Sequence, residues 1–437
     1  MKRARRVPLN VFMGQRRIGT LTKKSNGGLT FRYADEWMDA GRQGLVSYSL
    51  PVSKKTWSGD PVEFVFENLL PDNRPIREAI ASKKHAAGSD AFSLLSVIGR
   101  DCVGALQFLP EGEAPDDPAV LEYRKVSDRD VAKILTNLAQ DPLGMNDDND
   151  DFRLSIAGAQ EKTALLRRDD TWNVPYGTTP TTHIFKTPMP LRADGVDLRQ
   201  SCENEHFCMT FLRNLDMKAA DTELATFEDQ KAIIIARFDR GSNDGVLQRR
   251  HQEDMCQALS LPSSMKYEKD GGIGIPDIMK LLLASETPTA DREAFMKAQV
   301  VYWLLGASDG HAKNYSIFLP PTGGFRMTPL YDVMSLQPII DAGQLPERRL
   351  RVALSVGKKK HYGVPEITPR HFSETAEICN FSNKALEDIF QSIIDTTHSA
   401  MDKTMTEMPK SFPEQLASSI ANGAKGRVEI MKAVLAG

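Results

Sequence analysis

One short stretch limits what this chain can be more than any other. It is Leu304-Leu305-Gly306-Ala307-Ser308-Asp309-Gly310-His311-Ala312-Lys313-Asn314, followed by Tyr331-Asp332-Val333. It offers a carboxylate, an amide five residues on, and a second carboxylate beyond a short apolar segment. That order suits phosphoryl transfer. One carboxylate accepts a hydroxyl proton, while an amide oxygen and a second carboxylate hold Mg²⁺ against the phosphates of ATP. The pattern D-x-x-x-x-N also arises by chance, and a polar loop with a turn-capping Asp would carry it too. Here it follows an apolar helical run, Phe295 to Leu305, and precedes a strand-like Tyr315-Ser316-Ile317-Phe318-Leu319. That is the helix–loop–strand setting of a kinase catalytic loop.

Composition allows such an enzyme and argues against other classes. The 437 residues suffice for two or three domains with a large core. A net charge of −3 gives the whole molecule no attraction for nucleic acid. Only Lys2, Arg3, Arg5 and Arg6 form a basic patch, read here as a tail. Cys102, Cys202, Cys208, Cys256 and Cys379 are scattered without a C-x-x-C pair, which points to reduced thiols rather than a disulfide frame or a zinc site. Pro8, Asn10, Gln15, Arg16 and Arg17 break any signal-peptide core, and no apolar run reaches membrane-spanning length. The expectation is a soluble cytoplasmic protein with no membrane partner.

Four segments are expected along the chain. Residues 1–110 read as a small β-rich domain. Its turns at Met13-Gly14-Gln15 and Asn26-Gly27-Gly28 separate strands, and Val46 to Val52 reads as a further strand closed by Pro51. Helices are expected after Pro71-Asp72-Asn73 and from Ser93 to Ile98, then a last strand from Val103 to Leu109. Residues 111–151 read as a linker with one helix, Asp128 to Leu138, and an acidic run at Asp147-Asp148-Asn149-Asp150-Asp151. Residues 152–240 read as a nucleotide-binding portion and 241–437 as a helical lobe.

The third segment holds the remaining parts of a phosphoryl-transfer site. Ala157, Gly158 and Ala159 would let backbone N–H groups approach a phosphate, though a plain hairpin turn reads equally well there. His183-Ile184-Phe185-Lys186 is a strand ending in a Lys, as in a kinase nucleotide sheet. On the helix that follows from Ser201, Glu205 or Glu203 is the candidate partner for Lys186. Lys231 to Arg240 is the most apolar strand and leads into Gly241-Ser242-Asn243-Asp244-Gly245, a candidate flexible hinge with Phe238 over an adenine ring. Lys358-Lys359-Lys360-His361-Tyr362 is a basic loop that suits an acidic substrate or partner, or simply water.

With those residues in view, the chain resembles the HipA family of serine/threonine-kinase toxins from bacterial HipBA toxin–antitoxin modules. The resemblance rests on several long segments in order. They are Asn68-Leu69-Leu70-Pro71-Asp72, Ile98-Gly99-Arg100-Asp101, Ala157 to Leu166, Thr179 to Ile184, Gln252 to Gln257, Leu261 to Ser264, and Ala307 to Asn314. It implies an α+β, two-lobed protein-kinase-like fold with a β-rich N-terminal part and an all-α C-terminal lobe. It implies ATP and Mg²⁺ as cofactors, with Asp309 as catalytic base and Asn314 and Asp332 as metal ligands. Ala157, Gly158, Ala159, Gln160, Glu161 and Lys162 would form the loop over the nucleotide, and Lys186 would touch phosphate. Ala236, Arg237 and Phe238 at the hinge, His311, Ala312 and Lys313 in the catalytic loop, and Tyr331 would complete the ATP site. Where family members carry an acidic hinge residue this chain has Ala236, so one nucleotide contact is expected to be missing. Ser155 matches the family's autophosphorylated serine, whose phosphate would eject the nearby loop and switch the kinase off. The implied substrate is glutamyl-tRNA synthetase. The implied partner is the helix-turn-helix antitoxin HipB, which carries the complex to operator DNA. Glu374, Glu377 and Asn380 do not favour direct DNA contact by the helix after Pro369. Two other readings stay open: a small-molecule phosphotransferase with a similar Asp-Asn-Asp set, and a non-catalytic co-repressor.

Overall fold

The computed structural model describes residues 7–39, 44–138, 154–155 and 160–436. The first stretch of chain forms β1 (Leu9–Met13), β2 (Arg16–Lys23), β3 (Leu29–Tyr33), α1 (Asp35–Asp39), β4 (Thr56–Ser58), α2 (Asp60–Glu67), α3 (Arg74–Lys83), α4 (Ala91–Ile98) and β5 (Leu106–Pro110). Then come β6 (Tyr123–Lys125), α5 (Asp128–Asn137), β7 (Lys162–Arg168), β8 (Thr171–Pro175), β9 (His183–Lys186), α6 (Ser201–Asn214), β10 (Thr222–Phe227) and β11 (Gln230–Ala236). A third stretch forms β12 (Arg240–Asn243), β13 (Val246–Arg249), β14 (Gln252–Asp254), α7 (Met255–Ala258), α8 (Ile275–Leu281), α9 (Pro288–Leu305), β15 (Ser316–Phe318) and β16 (Arg326–Met327). The chain ends with α10 (Gln337–Asp341), β17 (Arg351–Val356), β18 (His361–Gly363), α11 (Pro369–Ile378), α12 (Asn383–Glu407) and α13 (Glu414–Ala436).

Two compact units result, and neither is a contiguous piece of chain. The first takes Met1–Thr187, Ala225–Ser264 and Ser316–Phe325; the second takes Pro188–Leu224, Met265–Tyr315 and Arg326–Gly437.

The first unit contains two sheets. One is antiparallel, in the order β4-β3-β2-β1-β5. Its period-two pattern buries Leu9, Val11, Ile18, Leu21, Phe31 and Tyr33 under α2 and α4. Edge-on ring contacts of Phe66 with Phe108 and a tilted contact of Phe31 with Phe66 fill that core. The hairpin turn needs Gly14, whose φ is +60°. The other sheet has the order β10-β11-β9-β7-β8-β6. Here β6 pairs with β8, and α5, opened by a reciprocal Ser127–Asp130 capping box, packs against β11. Residues 123–137 are therefore part of a folded layer, where the sequence suggested a linker. The acidic run and the basic amino terminus lie outside the described residues.

Two further expectations change. Val46 to Val52 forms no strand. Side chains distant in sequence satisfy its backbone instead: Val46 N–H donates to Tyr33 Oη at 3.1 Å, and Tyr48 N–H donates to Glu253 Oε1 at 2.8 Å. His251 serves the same seam. Burial pushes its imidazole down to about 4, so it is neutral, with Nε2 at 3.0 Å from the Val46 carbonyl and Nδ1 accepting from Ala105 N–H. The stretch from Gly241 to Gly245 is a tight β12–β13 hairpin rather than a flexible connector. Pairing of β14 with β15 then draws residues 316–325 back into this unit.

The second unit is mainly helical. The last three turns of α9 are buried all round, and α12 and α13 pack on it. Trp303 meets Phe372 of α11 at 5.9 Å, and Phe372 meets Phe390 of α12 at 6.3 Å. The unit is not all-α, because β17 and β18 form a hairpin whose turn carries Lys358, Lys359 and Lys360. Lys358 pairs with Glu377 and Lys360 with Glu268, so much of that turn's positive charge is already answered. Among the described residues no helix is long and apolar enough to cross a membrane.

Candidate active site

The candidate catalytic loop follows from how α9 stops. Gly306 adopts the left-handed conformation, φ +62°, and its N–H closes on the Trp303 carbonyl at 3.1 Å. The next residue, Ala307, bridges to Ser335. From there the chain folds tightly on itself. The Asp309 carbonyl accepts the His311 N–H at 2.8 Å and Asn314 Nδ2 at 2.7 Å, and Asn314 N–H donates to the His311 carbonyl at 2.9 Å. Because Asn314 spends its amide N–H₂ on this loop, its oxygen is the end left for a cation. Gly310 is required by close approach: a Cβ there would stand 2.6 Å from a ring carbon of Tyr302.

Asp332 belongs to the same unit and has the left-handed φ of +59°, which is strained for a residue with a Cβ. It is bracketed by two anchors. Tyr331 Oη donates to the Lys313 carbonyl at 2.8 Å. Ser335 Oγ donates to the Leu305 carbonyl at 2.5 Å, and both backbone groups of Ser335 bond the Asn204 amide of α6 at 2.8 Å. Asn204 and Ser335 are positioning residues that spacing alone did not reveal.

The Asp309 carboxylate is half-exposed, with 46% of its side chain accessible, so it is open to a substrate. His311 beside it is buried. Burial lowers its imidazole below the ordinary value, so at neutral pH it is uncharged, and its Nε2, 3.9 Å from Asp309 Oδ1, forms no ion pair there. Its Nδ1 is a buried polar atom with no hydrogen-bond partner among the described residues. Such an atom costs about 1–3 kcal/mol unless a ligand or water satisfies it. A residue absent from the sequence-based expectation also reaches this carboxylate: Tyr267 Oη donates to Asp309 Oδ1 at 2.5 Å.

These residues fit Mg²⁺. Asp332 and Asn314 offer hard oxygen donors, and Mg²⁺ is commonly bound by one or two carboxylates together with substrate phosphates. Among the described residues no group of three or more His, Cys, Asp or Glu side chains could hold a metal alone. In the first unit, Lys162 and Lys186 stand directly opposite on β7 and β9, both buried. Gln160 Nε2 donates to the Thr187 carbonyl at 3.0 Å. Ala157, Gly158 and Ala159 lie outside the described residues. On α6, Glu203 and Glu205 are both buried, so exposure does not choose between them.

The hinge residues divide. Ala236 pairs with His183 at the end of β11, and Phe238 packs its ring edge-on against Phe318. Arg237 has a different occupation from the one expected. Its guanidinium binds Asp239 at 2.8 and 3.0 Å and Asp101 at 3.3 Å, while its N–H donates to the Thr182 carbonyl and its carbonyl accepts from Arg240. It is a structural residue of the first unit. Ser155 is fully buried, its N–H on the Asp101 carbonyl at 3.0 Å and its hydroxyl on the Leu69 carbonyl at 2.8 Å.

Comparison with known proteins places the chain in a family. A family model described as the HipA-like C-terminal domain matches residues 154–401, and one for the HipA N-terminal domain matches residues 9–109. The putative kinase Y4mE of Sinorhizobium fredii is 32% identical over 80% of this chain and 81% of its own length. The serine/threonine-protein kinase toxin HipA of Shewanella oneidensis is 28% identical over 79% of this chain and 78% of its own. A solved complex of Shewanella oneidensis HipA with HipB and operator DNA superposes with a TM-score of 0.79, at 22% identity and 97% coverage of both chains.

Proposed function

The chain belongs to the HipA family, and from that premise we propose that it is an ATP- and Mg²⁺-dependent serine/threonine protein kinase acting as a growth-arresting toxin. The observation that carries this reading is the closed Asp309–Asn314 loop, whose hydrogen bonds leave the Asp309 carboxylate half-exposed and occupy the Asn314 amide nitrogen rather than its oxygen. Asp309 takes the proton of the substrate hydroxyl. Asn314 and Asp332 hold the metal, Lys186 and Lys162 bind phosphate, and Tyr331 and His311 line the nucleotide. ATP supplies the phosphoryl group, and Mg²⁺ neutralises charge developing on it. A general base of this kind contributes about 10²–10⁴-fold. Asp309→Asn is therefore expected to lose that much transfer of radiolabel from ATP while still binding ATP. Wild-type transfer by the variant would end the kinase reading. Label in protein, rather than in a small molecule, separates this reading from a small-molecule phosphotransferase.

Finer roles rest on the same family. Glutamyl-tRNA synthetase is the proposed substrate, and a HipB-type antitoxin the proposed partner, with operator DNA reached through it. Ser155 is the proposed autophosphorylation site, and its burial gives that modification a mechanical meaning. The hydroxyl must leave the Leu69 carbonyl to be phosphorylated. Once it carries about −1.5 to −2 charges, it cannot return to an acceptor. The neighbouring loop is then held away and ATP affinity falls. Equal ATP affinity of the Ser155-phosphorylated and unmodified proteins would refute this.

A further inference from the structure

We propose that Tyr267 is the positioning residue of the catalytic base: its phenol fixes one oxygen of Asp309 so that the other is presented to the substrate hydroxyl. This rests on the reading of Asp309 as base. An aspartate carboxyl has a broad, two-fold torsional preference, and the Asp309 side chain is 46% exposed, so the backbone loop alone does not fix its plane. The Tyr267 donor at 2.5 Å from Oδ1 does. Oδ2 remains for the incoming hydroxyl.

The alternative is a plug, a phenol standing where the substrate hydroxyl belongs and pushed aside on binding. The mount of Tyr267 argues against it. Its ring packs edge-on against His311 with centroids 4.8 Å apart, two residues from the base itself. The preceding carbonyl, of Lys266, accepts the Ala312 N–H at 3.1 Å, tying the backbone to the catalytic loop as well. The Tyr267 carbonyl accepts N–H groups from Asp270 and Gly272 at 3.0 and 3.1 Å. The next side chain, Glu268, grips Ser355 of β17 by its N–H at 2.6 Å and its hydroxyl at 2.9 Å, and pairs with Lys360 at 3.2 Å. A displaceable plug belongs on a loose segment. This one is bolted to the catalytic loop on one side and to the β17–β18 hairpin on the other.

The test is Tyr267→Phe, which keeps the ring against His311 and deletes only the phenol oxygen. Phosphorylation of a protein substrate is measured well below the melting temperatures of both proteins, with ATP affinity measured in parallel. A misaligned reacting group costs about 10²-fold, so the expected result is a 10- to 100-fold fall in kcat with ATP affinity and the KM for ATP unchanged. A merely structural role would lower the melting temperature and weaken ATP binding together with the rate, and would overturn the proposal. Unchanged kcat would also overturn it, and raised kcat would identify the phenol as a plug. Asp309→Asn distinguishes the two levels. If it retains transfer, the base assignment fails. If it is inactive while Tyr267→Phe matches wild type, only the role of Tyr267 fails.

Discussion

Asp101 performs no chemistry, yet Arg237, Arg240, Arg249 and Thr181 all converge on its carboxylate in the interior of the first unit. Burial alone would raise this carboxyl, but the three guanidiniums override it and hold it well below the usual carboxylate range. Removing one member of such a buried network leaves uncompensated charge, at a cost of about 3–5 kcal/mol. Asp101→Asn should therefore lower the denaturation midpoint by a corresponding amount without altering the catalytic loop. Glu253 makes the opposite point. Burial pushes its carboxyl up to about 8, and among the described residues Oε2 has no hydrogen-bond partner. Because the folded state favours the protonated form, its contribution is full below the ordinary carboxyl range and is lost as pH rises through about 8. The melting temperature of the wild type should fall between about pH 5 and pH 8, and that of Glu253→Gln should fall less. A parallel decline in both would remove Glu253 as the cause. At this scale the sequence was legible where a local signal sets the backbone, as at Gly306, whose left-handed φ of +62° ends α9 just before Asp309. It misled where one residue type serves two purposes, as with Arg237, whose place beside a hinge says nothing about the acids it meets in space.

Among the elements, α9 and its loop act as one part. Gly310 lies against Tyr302, which stacks on Tyr315 at 6.0 Å in a fully buried pair. Neither ring can yield cheaply, so Gly310→Ala should shift the loop. Overpacking of this kind costs about 1–3 kcal/mol, and the larger loss should appear in phosphoryl transfer, about 10²-fold for a displacement near 1 Å. Activity close to wild type would show that the loop tolerates the shift. Elements with local signals could be read directly: β1 and β2 with Gly14 between them, β9 as His183–Lys186, α4 ending at Gly99. Val46 to Val52 could not. Its β-forming composition is real, but Tyr33, His251 and Glu253 supply its hydrogen bonds from far along the chain, and no local pattern encodes them.

For the molecule as a whole, the sequence suggested consecutive domains, and the units are interleaved instead. The apolar core of the first unit includes Phe227, Ala232 and Ile234 beside Leu9 and Phe31. A fragment of residues 1–187 should therefore show no cooperative unfolding transition; a sharp one would mean that the later segments are accessory. Several stretches behind the family resemblance prove to be the joints of this interleaving. Thr181 binds Asp101, Gln257 binds the Val65 carbonyl, and Asn68 binds the Leu261 carbonyl.

That interleaving sets an order of events on the ribosome. The amino-terminal sheet and the six-stranded sheet are synthesised early, but their unit is complete only when β15 emerges and pairs with β14. At about 5–20 residues per second, the wait after Thr187 is on the order of ten seconds. By then the catalytic loop, which directly precedes β15, has already left the exit tunnel or is just doing so. A nascent chain of this kind cannot finish its first unit before the Asp309–Asn314 loop exists, so a prematurely terminated product is not a partial kinase but an unfinished fold.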